Sequence, residues 1–270
     1  MKYNSEKKIV FIVVNYKNYK EVVNYSNHLN NVLGSKNIDI VIVNNSEKRD
    51  EFYNINSNVQ VVELNDNYGY FTALNKGLEH YIKIKKIPKW VVISNTDIKI
   101  KSSDFISKLD NEDAICIAPK IISLETKRNQ NPFLIGRIKD RKLKILKIFY
   151  SNKVFFYLFN KLAKIKSDFF SSEFTDKVDK IYAAHGSFII INKEFFTLGG
   201  TLDYSKLLYS EEIYLAEQIY RFGKQIKYLD NIEIEHNEHS TTGKIKNDIR
   251  RLKRYESISY ILNWRNRQFE

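Results

Sequence analysis

Apolar positions in the first hundred residues fall into two alternating textures. Short continuous runs rich in Val and Ile, "KKIVFIVVNY", "IDIVIVNNS", "VQVVELNDN" and "PKWVVISNTDI", each open into Asn, Asp or Ser. Such runs, bounded by turn-forming residues, predict buried strands. Between them, "KEVVNYSNHLNNVLG" and "YFTALNKGLEHYIKI" space their apolar residues at helical intervals, and the first stops at Gly34, a helix-stop residue. Strand and helix in alternation predict an α/β fold with a mainly parallel sheet flanked by helices. In open sheets of this kind ligands bind outside the carboxyl ends of the strands. That rule gathers Asn15, Asn44, Asn45, Asn95 and Asp97 along one edge.

The texture breaks from about residue 128 to residue 180. "RKLKILKIFYSNKVFFYLFNKLAKIKSDFF" interleaves aromatic and aliphatic residues with Lys142, Lys144, Lys147, Lys153, Lys161, Lys164 and Lys166. This predicts one or two basic amphipathic helices. The regular pattern returns at "YAAHGSFIIINKEFF", and "SEEIYLAEQIYRFGKQI" predicts a helix with Glu211 and Glu212 in its first turn. An acid pair there favours the helix dipole whatever else it does. No repeat and no Gly/Ser/Pro-rich linker divides the chain. The expected organisation is one domain over residues 1–243, with a basic insertion at 128–180 and a basic amphipathic C-terminal helix over 244–270.

Charge sharpens this picture. The chain of 270 residues has a formal net charge of +12, but the excess is local. Residues 139–166 hold nine Lys/Arg against one Asp, and residues 244–267 hold eight against two acids; the remainder is nearly neutral. A partner that needs positive charge is therefore expected at those two segments. Lysine dominates the first, and no nucleic-acid motif accompanies either, so nucleic acid is not the expected partner. A basic helix with an aromatic apolar face suits an anionic membrane surface instead. No window is apolar enough to span a bilayer, and no cleavage site follows the N-terminal apolar run. The single cysteine, Cys116 in "AICIAP", excludes an internal disulfide and reads as a packed core thiol. The expected location is the cytoplasm, peripheral on the inner face of the cell membrane.

Several motifs, taken in order, resemble the family 2 inverting glycosyltransferases, which have the GT-A fold. "NDNYGYFTALNKG" is similar to that family's Asn-x-Gly-Phe-Ala-x-Ala-x-Asn-x-Gly stretch through Asn67, Gly69, Tyr70, Ala73, Asn75 and Gly77. "SNTDI" resembles its Asn-Pro-Asp or Asp-x-Asp segment. "GGTLDYSKLLYSEE" resembles its Gly-Gly-Phe-Asp-Glu stretch with the later acidic pair. "IEIEHNEHS" and "YILNWRNRQF" resemble its later His and Arg-Asn elements. The set spans roughly residues 8 to 267, and the pattern is nearest to the rhamnosyltransferase-like, polysaccharide-building members.

The resemblance implies a nucleoside-diphosphate sugar donor (UDP-, dTDP- or GDP-linked), a glycan or lipid-linked acceptor, and a hexose or deoxyhexose transferred with inversion. A departing diphosphate over a site with little positive charge needs a bridging cation, Mn²⁺ or Mg²⁺, with oxygen or imidazole ligands. Asp97 and His236 are the candidate ligands; His239, three residues on, is the alternative to His236. Asn15, Tyr16, Asn44, Asn45, Asn67, Gly69, Asn75 and Asn95 are expected around the nucleotide. Inversion requires one general base, and the resemblance places Glu212 there, with Glu211 as the alternative. Asp203, His185 and Gly186 are expected toward the acceptor, although His185 reads equally as a core residue. The chain departs from the family at three points: Glu212 stands for its Asp, Asn44 or Asn45 for the Asp after the second strand, and Asn95 for the first acid of Asp-x-Asp. These departures leave open a second reading, a nucleotide-sugar-binding partner subunit with little catalysis.

Overall fold

The computed structural model describes residues 7–48, 55–157, 178–238 and 247–267. The predicted strands form β1 (Ile9–Asn15), β2 (Ile38–Asn44), β3 (Val59–Glu63) and β4 (Trp90–Ser94). The two predicted helices are α1 (Tyr19–Leu33) and α2 (Tyr70–Ile84). α1 ends at Gly34, whose φ of 80° reverses the chain where most side chains would be strained. There follow β5 (Ile98–Ile100), α3 (Phe105–Asp110), β6 (Cys116–Ser123), α4 (Asp140–Ser151) and β7 (Lys180–Ile181). The chain continues as β8 (Phe188–Asn192), α5 (Lys193–Thr197), α6 (Glu211–Arg221), β9 (Ile226–His236) and α7 (Asn247–Asn266).

Among the described residues, nine strands make one mixed sheet in the order β3-β2-β1-β4-β8-β6-β9-β5, with β7 also on β9. β1, β2, β3 and β4 run parallel, with Asn15 opposite Asn44 at their carboxyl ends. β8 is antiparallel to both β4 and β6. β6 and β9 are parallel, with a bulge between Pro119 and Lys120. β5 pairs antiparallel with the last turn of β9, setting Ile98 opposite His236.

Side-chain alternation along β1 divides the core into two layers. Ile9, Phe11 and Val13 meet Val22, Tyr25 and Leu29 of α1 and Phe105 of α3 on one face. Val10 and Ile12 meet Phe71, Leu74 and Leu78 of α2 on the other, where residues of α4, α6 and α7 complete the layer. Cys116 is fully buried in β6, and desolvation raises its thiol pKa, as a core thiol requires.

The segment expected to be a basic insertion contributes α4, which packs against α7. Within that segment residues 158–177 lie outside the described residues, as does His239. The C-terminal helix is present, but part of its charge points inward. Arg251 donates to the backbone carbonyls of Tyr150 (2.6 Å) and Ser151 (3.0 Å). Arg265, 3% exposed, pairs with Glu217 of α6 at 2.5 Å and with Asp140 of α4. Arg137 binds the same Glu217 through two nitrogens, at 2.9 and 2.8 Å, and Tyr182 donates its hydroxyl to it. One buried carboxylate thus ties α7, α6 and the 137 segment together.

Replacing Glu217 with Ala strands Arg265 as a buried cation without its main partner. The expected loss is about 3–5 kcal/mol of unfolding free energy, read from urea denaturation. A loss below about 1 kcal/mol, the range of exposed pairs, would show that the network is not desolvated.

Candidate active site

The carboxyl ends of β1 and β4 open onto a cavity of about 1620 Å³, closed on the far side by the start of α6 and the inner face of α7. Asn15, Tyr16, Asn45, Asn67, Gly69, Asn95, Asp97, His185, Gly186, Glu211 and Glu212 all line it. Most of the residues expected from the sequence are therefore brought to one place.

A ladder of amides builds the strand-edge wall. Asn45 donates to the Asn67 side chain (3.1 Å) and to the Gly69 carbonyl (3.2 Å), and its own oxygen accepts from Tyr68 N–H. Asn67 caps the turn by accepting from Gly69 N–H at 2.9 Å. Gly69 has φ of 80°, and a Cβ there would lie 2.8 Å from the backbone of Leu207. The glycine is needed for both the turn and the close approach of the 207 segment.

Four expected site residues do not line the cavity: Asn44, Asn75, Asp203 and His236, the last buried beside Asp97. Asn44 is wholly buried beneath the cavity, accepting from the Asn15 amide (3.0 Å) and donating to Glu63 (2.8 Å). It orients Asn15 from below, because the register places the two side by side on adjacent strands. Asn75 sits in the middle of α2, where its oxygen accepts from Leu202 N–H and the Thr201 hydroxyl. It holds the 201–204 segment on the helix. Asp203 is exposed, and its N–H is turned onto the Thr201 hydroxyl. The Gly-Gly turn therefore directs Asp203 outward.

Asp97 and His236 meet because Asp97 immediately precedes β5 and His236 ends β9 opposite Ile98. His236 Nε2 lies 3.2 Å from Asp97 Oδ1, and Nδ1 lies 2.7 Å from Gln130 Oε1. The Gln130 amide is itself oriented by donating to Glu238 at 2.9 Å, so its oxygen faces the ring and Nδ1 carries the hydrogen. Nε2 then faces a carboxylate, an arrangement that a cation shared between them would satisfy. His185 packs edge-on against His236, with ring centres 5.8 Å apart, and its Nδ1 is 2.8 Å from the Ser187 hydroxyl. Burial and the neighbouring His236 lower its pKa to about 4, so it is uncharged at neutral pH.

The residues at this corner fit a divalent cation in a limited way. No group of three or more His, Cys, Asp or Glu able to hold a metal occurs among the described residues. One carboxylate and one imidazole remain, a set suited to an ion that takes its other ligands from water and a diphosphate. Asn95 supplies no charge; its N–H is bonded to the Ser187 carbonyl.

Glu211 and Glu212 enter the cavity through an unusual turn. Tyr209 and Ser210 both have positive φ, 71° and 66°, immediately before α6. Residues without glycine's freedom are held there only by their surroundings, and Ser210 Oγ is 3.2 Å from Ser257 Oγ of α7. Burial and the adjacent Glu212 raise the Glu211 pKa to about 8. Burial also raises that of Glu212, opposed by a hydrogen bond from Gly186 N–H that favours its charged form. A Cβ on Gly186 would lie 2.6 Å from Glu212 Oε1. Two carboxylates this close do not both ionise readily. Burial thus resists a full double charge on the pair, and the Gly186 N–H favours placing charge on Glu212.

Several lining residues were not singled out as site residues from the sequence: Lys17, Glu21, Thr96, Phe133 and Ser257. Thr96 donates to Glu21 at 2.6 Å, joining the turn after β4 to α1. Thr96 stands inside "SNTDI", so its position was the available signal. Lys253 and Arg254, within the basic segment expected to suit a membrane surface, also line the cavity.

A mainly parallel sheet carrying its cavity over the carboxyl edge, flanked by helices, is the GT-A fold that the sequence resemblance implied. Among solved structures, that of GalNAc-T7 with UDP, GalNAc and Mn²⁺ matches with a TM-score of 0.54 at 11% identity, over 87% of this chain and 44% of that one. The chain thus spans less than half the length of that neighbour. No family model and no curated protein matches the sequence.

An acid whose pKa rises on folding keeps a proton that the unfolded chain has lost. Stability should therefore fall as pH rises from 4.5 toward about 8, the span of the Glu211 shift. One such group contributes a slope of about 1.4 kcal/mol per pH unit. Glu211→Gln cannot ionise and should remove that slope. Denaturant midpoints should show the variant more stable than the parent at about pH 8 and equal to it at about pH 4. A stability difference that stays constant over that range would mean that Glu211 ionises freely in the fold.

Proposed function

We propose that this chain is an inverting, metal-dependent glycosyltransferase of family 2 type, moving a hexose or deoxyhexose from a nucleoside-diphosphate sugar to a glycan or lipid-linked acceptor in polysaccharide synthesis. The observation that carries this reading is one cavity, in a GT-A fold, with Asp97 on the strand-edge wall, backed by the buried His236 at 3.2 Å, and Glu212 on the helical wall. The fold likeness to a protein solved with UDP, GalNAc and Mn²⁺ supports a nucleotide-sugar donor.

In this mechanism Asn15, Asn45, Asn67 and Tyr16 receive the nucleoside. The amides offer both donors and acceptors to a base and ribose. Asp97 and His236 would hold Mn²⁺ or Mg²⁺. A cation bound there supplies Lewis-acid stabilisation of the leaving diphosphate. Glu212 accepts the proton from the acceptor hydroxyl as that oxygen attacks the anomeric carbon on the face opposite the leaving group. Glu211 stays protonated beside it. Neutral His185 adds no charge to compete for the diphosphate.

The alternative, a nucleotide-sugar-binding subunit with little catalysis, drew support from Glu212 standing where an Asp is expected. The glycine at position 186 weakens it. The missing Cβ leaves room for the longer side chain and gives its carboxylate an N–H partner. The site is built around a glutamate.

A peripheral position on the cytoplasmic face of the membrane remains part of the proposal. Ile145, Ile148, Val154, Phe155 and Leu252 are exposed near the equally exposed Lys142 and Lys144, an apolar and basic surface that supports it. Among the described residues no helix is long and apolar enough to cross a membrane.

The decisive measurement is release of UDP, GDP or dTDP from the corresponding sugar nucleotides, with and without Mn²⁺, in the parent and two variants. Asp97→Ala and Glu212→Gln should each lower transfer by about 10²-fold or more. Glu212→Gln should keep its affinity for the nucleotide, and Asp97→Ala should lose the Mn²⁺ dependence of binding. Full activity in both variants would overturn the mechanism. Tight nucleotide-sugar binding without turnover in the parent would establish the partner-subunit reading instead.

A further inference from the structure

The cations of α7 differ in what they meet. Arg251 is used up on backbone carbonyls, and Arg265 is buried against Glu217. Lys253 lines the cavity while paired with Glu256 at 3.0 Å. Arg254 also lines the cavity, and among the described residues no carboxylate forms an ion pair with it. Its guanidinium lies 5.2 Å from the centre of the Tyr209 ring and 5.8 Å from that of Tyr150, and it donates to the Tyr150 hydroxyl at 3.4 Å. Two aromatic rings confine the planar group without neutralising it, and its charge faces the cavity. Such a fork is suited to two parallel hydrogen bonds with a phosphate or a carboxylate.

Its position assigns it to one side of the reaction. Tyr209 leads directly into Ser210, Glu211 and Glu212, and Ser257, one turn beyond Arg254, touches Ser210. The guanidinium therefore belongs to the wall that carries the proposed base. The strand-edge wall, with Asn95 and Asp97, is formed by other elements. Ile249 and Ile258 of the same helix add apolar lining around it.

We infer that Arg254, assisted by Lys253, is an anion-holding subsite on the acceptor side of this cavity, and that the acceptor carries an oxyanion, a phosphate or a carboxylate, close to the hydroxyl that receives the sugar. This rests on the glycosyltransferase reading and adds the chemical class of its acceptor. A neutral glycan bound there would cover the half-buried guanidinium without giving it a counter-charge, which is costly.

The test is calorimetric binding of octyl phosphate, octyl glucuronide and uncharged octyl glucoside to the full chain, first saturated with Mn²⁺ and whichever of UDP, GDP or dTDP it binds most tightly, so that the donor site is closed to the probes. One or both acidic probes should bind more tightly than octyl glucoside. Phosphate ahead of glucuronide points to a phosphorylated carrier, and the reverse to an acidic sugar. Arg254→Gln should weaken the acidic probe by about tenfold or more, the worth of a charge-assisted pair, and leave octyl glucoside unchanged. Arg254→Lys, which keeps the charge but loses the fork, should fall between. Unchanged acidic affinity in Arg254→Gln, or equal loss for the neutral probe, would overturn the subsite. A lowered affinity for that nucleotide in the variant would also overturn it, by moving Arg254 to the donor side. If the parent binds none of UDP, GDP and dTDP, the glycosyltransferase reading falls. The acidic and neutral probes, compared without nucleotide, then still decide the subsite.

Discussion

The antiparallel pairing of β5 with β9 sets Ile98 opposite His236, and the chemistry of the strand edge depends on that register. β5 is three residues long and contributes little on its own. Its effect is to turn the chain after β4 back along β9, so that Asp97 stops beside a histidine more than a hundred residues away. β6 flanks β9 on its other side, and Ser123 is the partner of His236 there. The segment after β6 then returns Gln130 to the imidazole. One side chain is thus gripped by three stretches of chain, and its ring orientation is determined before any ligand arrives. A one-residue slip of β9 would turn His236 to the opposite face of the sheet and dissolve the pair.

Local pattern was enough to read the elements around this point. The β-branched runs became β1 to β4 and the helical spacing became α1 and α2, because each signal is satisfied within one segment. The strand-end rule then placed Asn15, Asn45, Asn95 and Asp97 correctly at one edge, since parallel strands must present their carboxyl ends together. Asn44 and Asn75 show where this reading stops. Both are polar and stand at motif positions, yet one supports Asn15 from beneath and the other tethers the 201–204 segment. Which face of a strand end meets solvent, and which face of a helix meets a loop, is decided by neighbours distant in sequence. The fate of each cation on α7 was hidden for the same reason. Composition gives the charge of a helix, but only packing against α4 and α6 decides which charges turn inward.

That inward charge changes how the acid pair should be understood. Two carboxylates at a helix start are favoured by the dipole, but Glu211 is 7% exposed and desolvation works against its ionisation. The turn at Tyr209 and Ser210 adds backbone strain, since both residues adopt positive φ. A helix start assembled for stability would have neither feature. It would cap α6 with a side chain, whereas Ser210 makes no such bond and its hydroxyl faces Ser257 of α7. Stability has been given up locally, and α7 holds the strained turn in place through Ser257 and the Tyr209–Arg254 contact.

The same logic explains why Gly186 and Glu212 belong together. An aspartate at position 212 would be shorter by one methylene and would draw back from the Gly186 N–H. Any side chain at 186 would push the glutamate aside. The two positions lie in separate segments, one before β8 and one in the first turn of α6, and each restricts what the other can be. In the proton transfer proposed for Glu212 this fit would matter, because a misplacement of about 1 Å can cost roughly 10²-fold in rate. The substitution that looked like a departure from an acidic motif is therefore matched by a compensating absence of atoms elsewhere, and it is the pair, glutamate with glycine, that sets the position of the carboxylate.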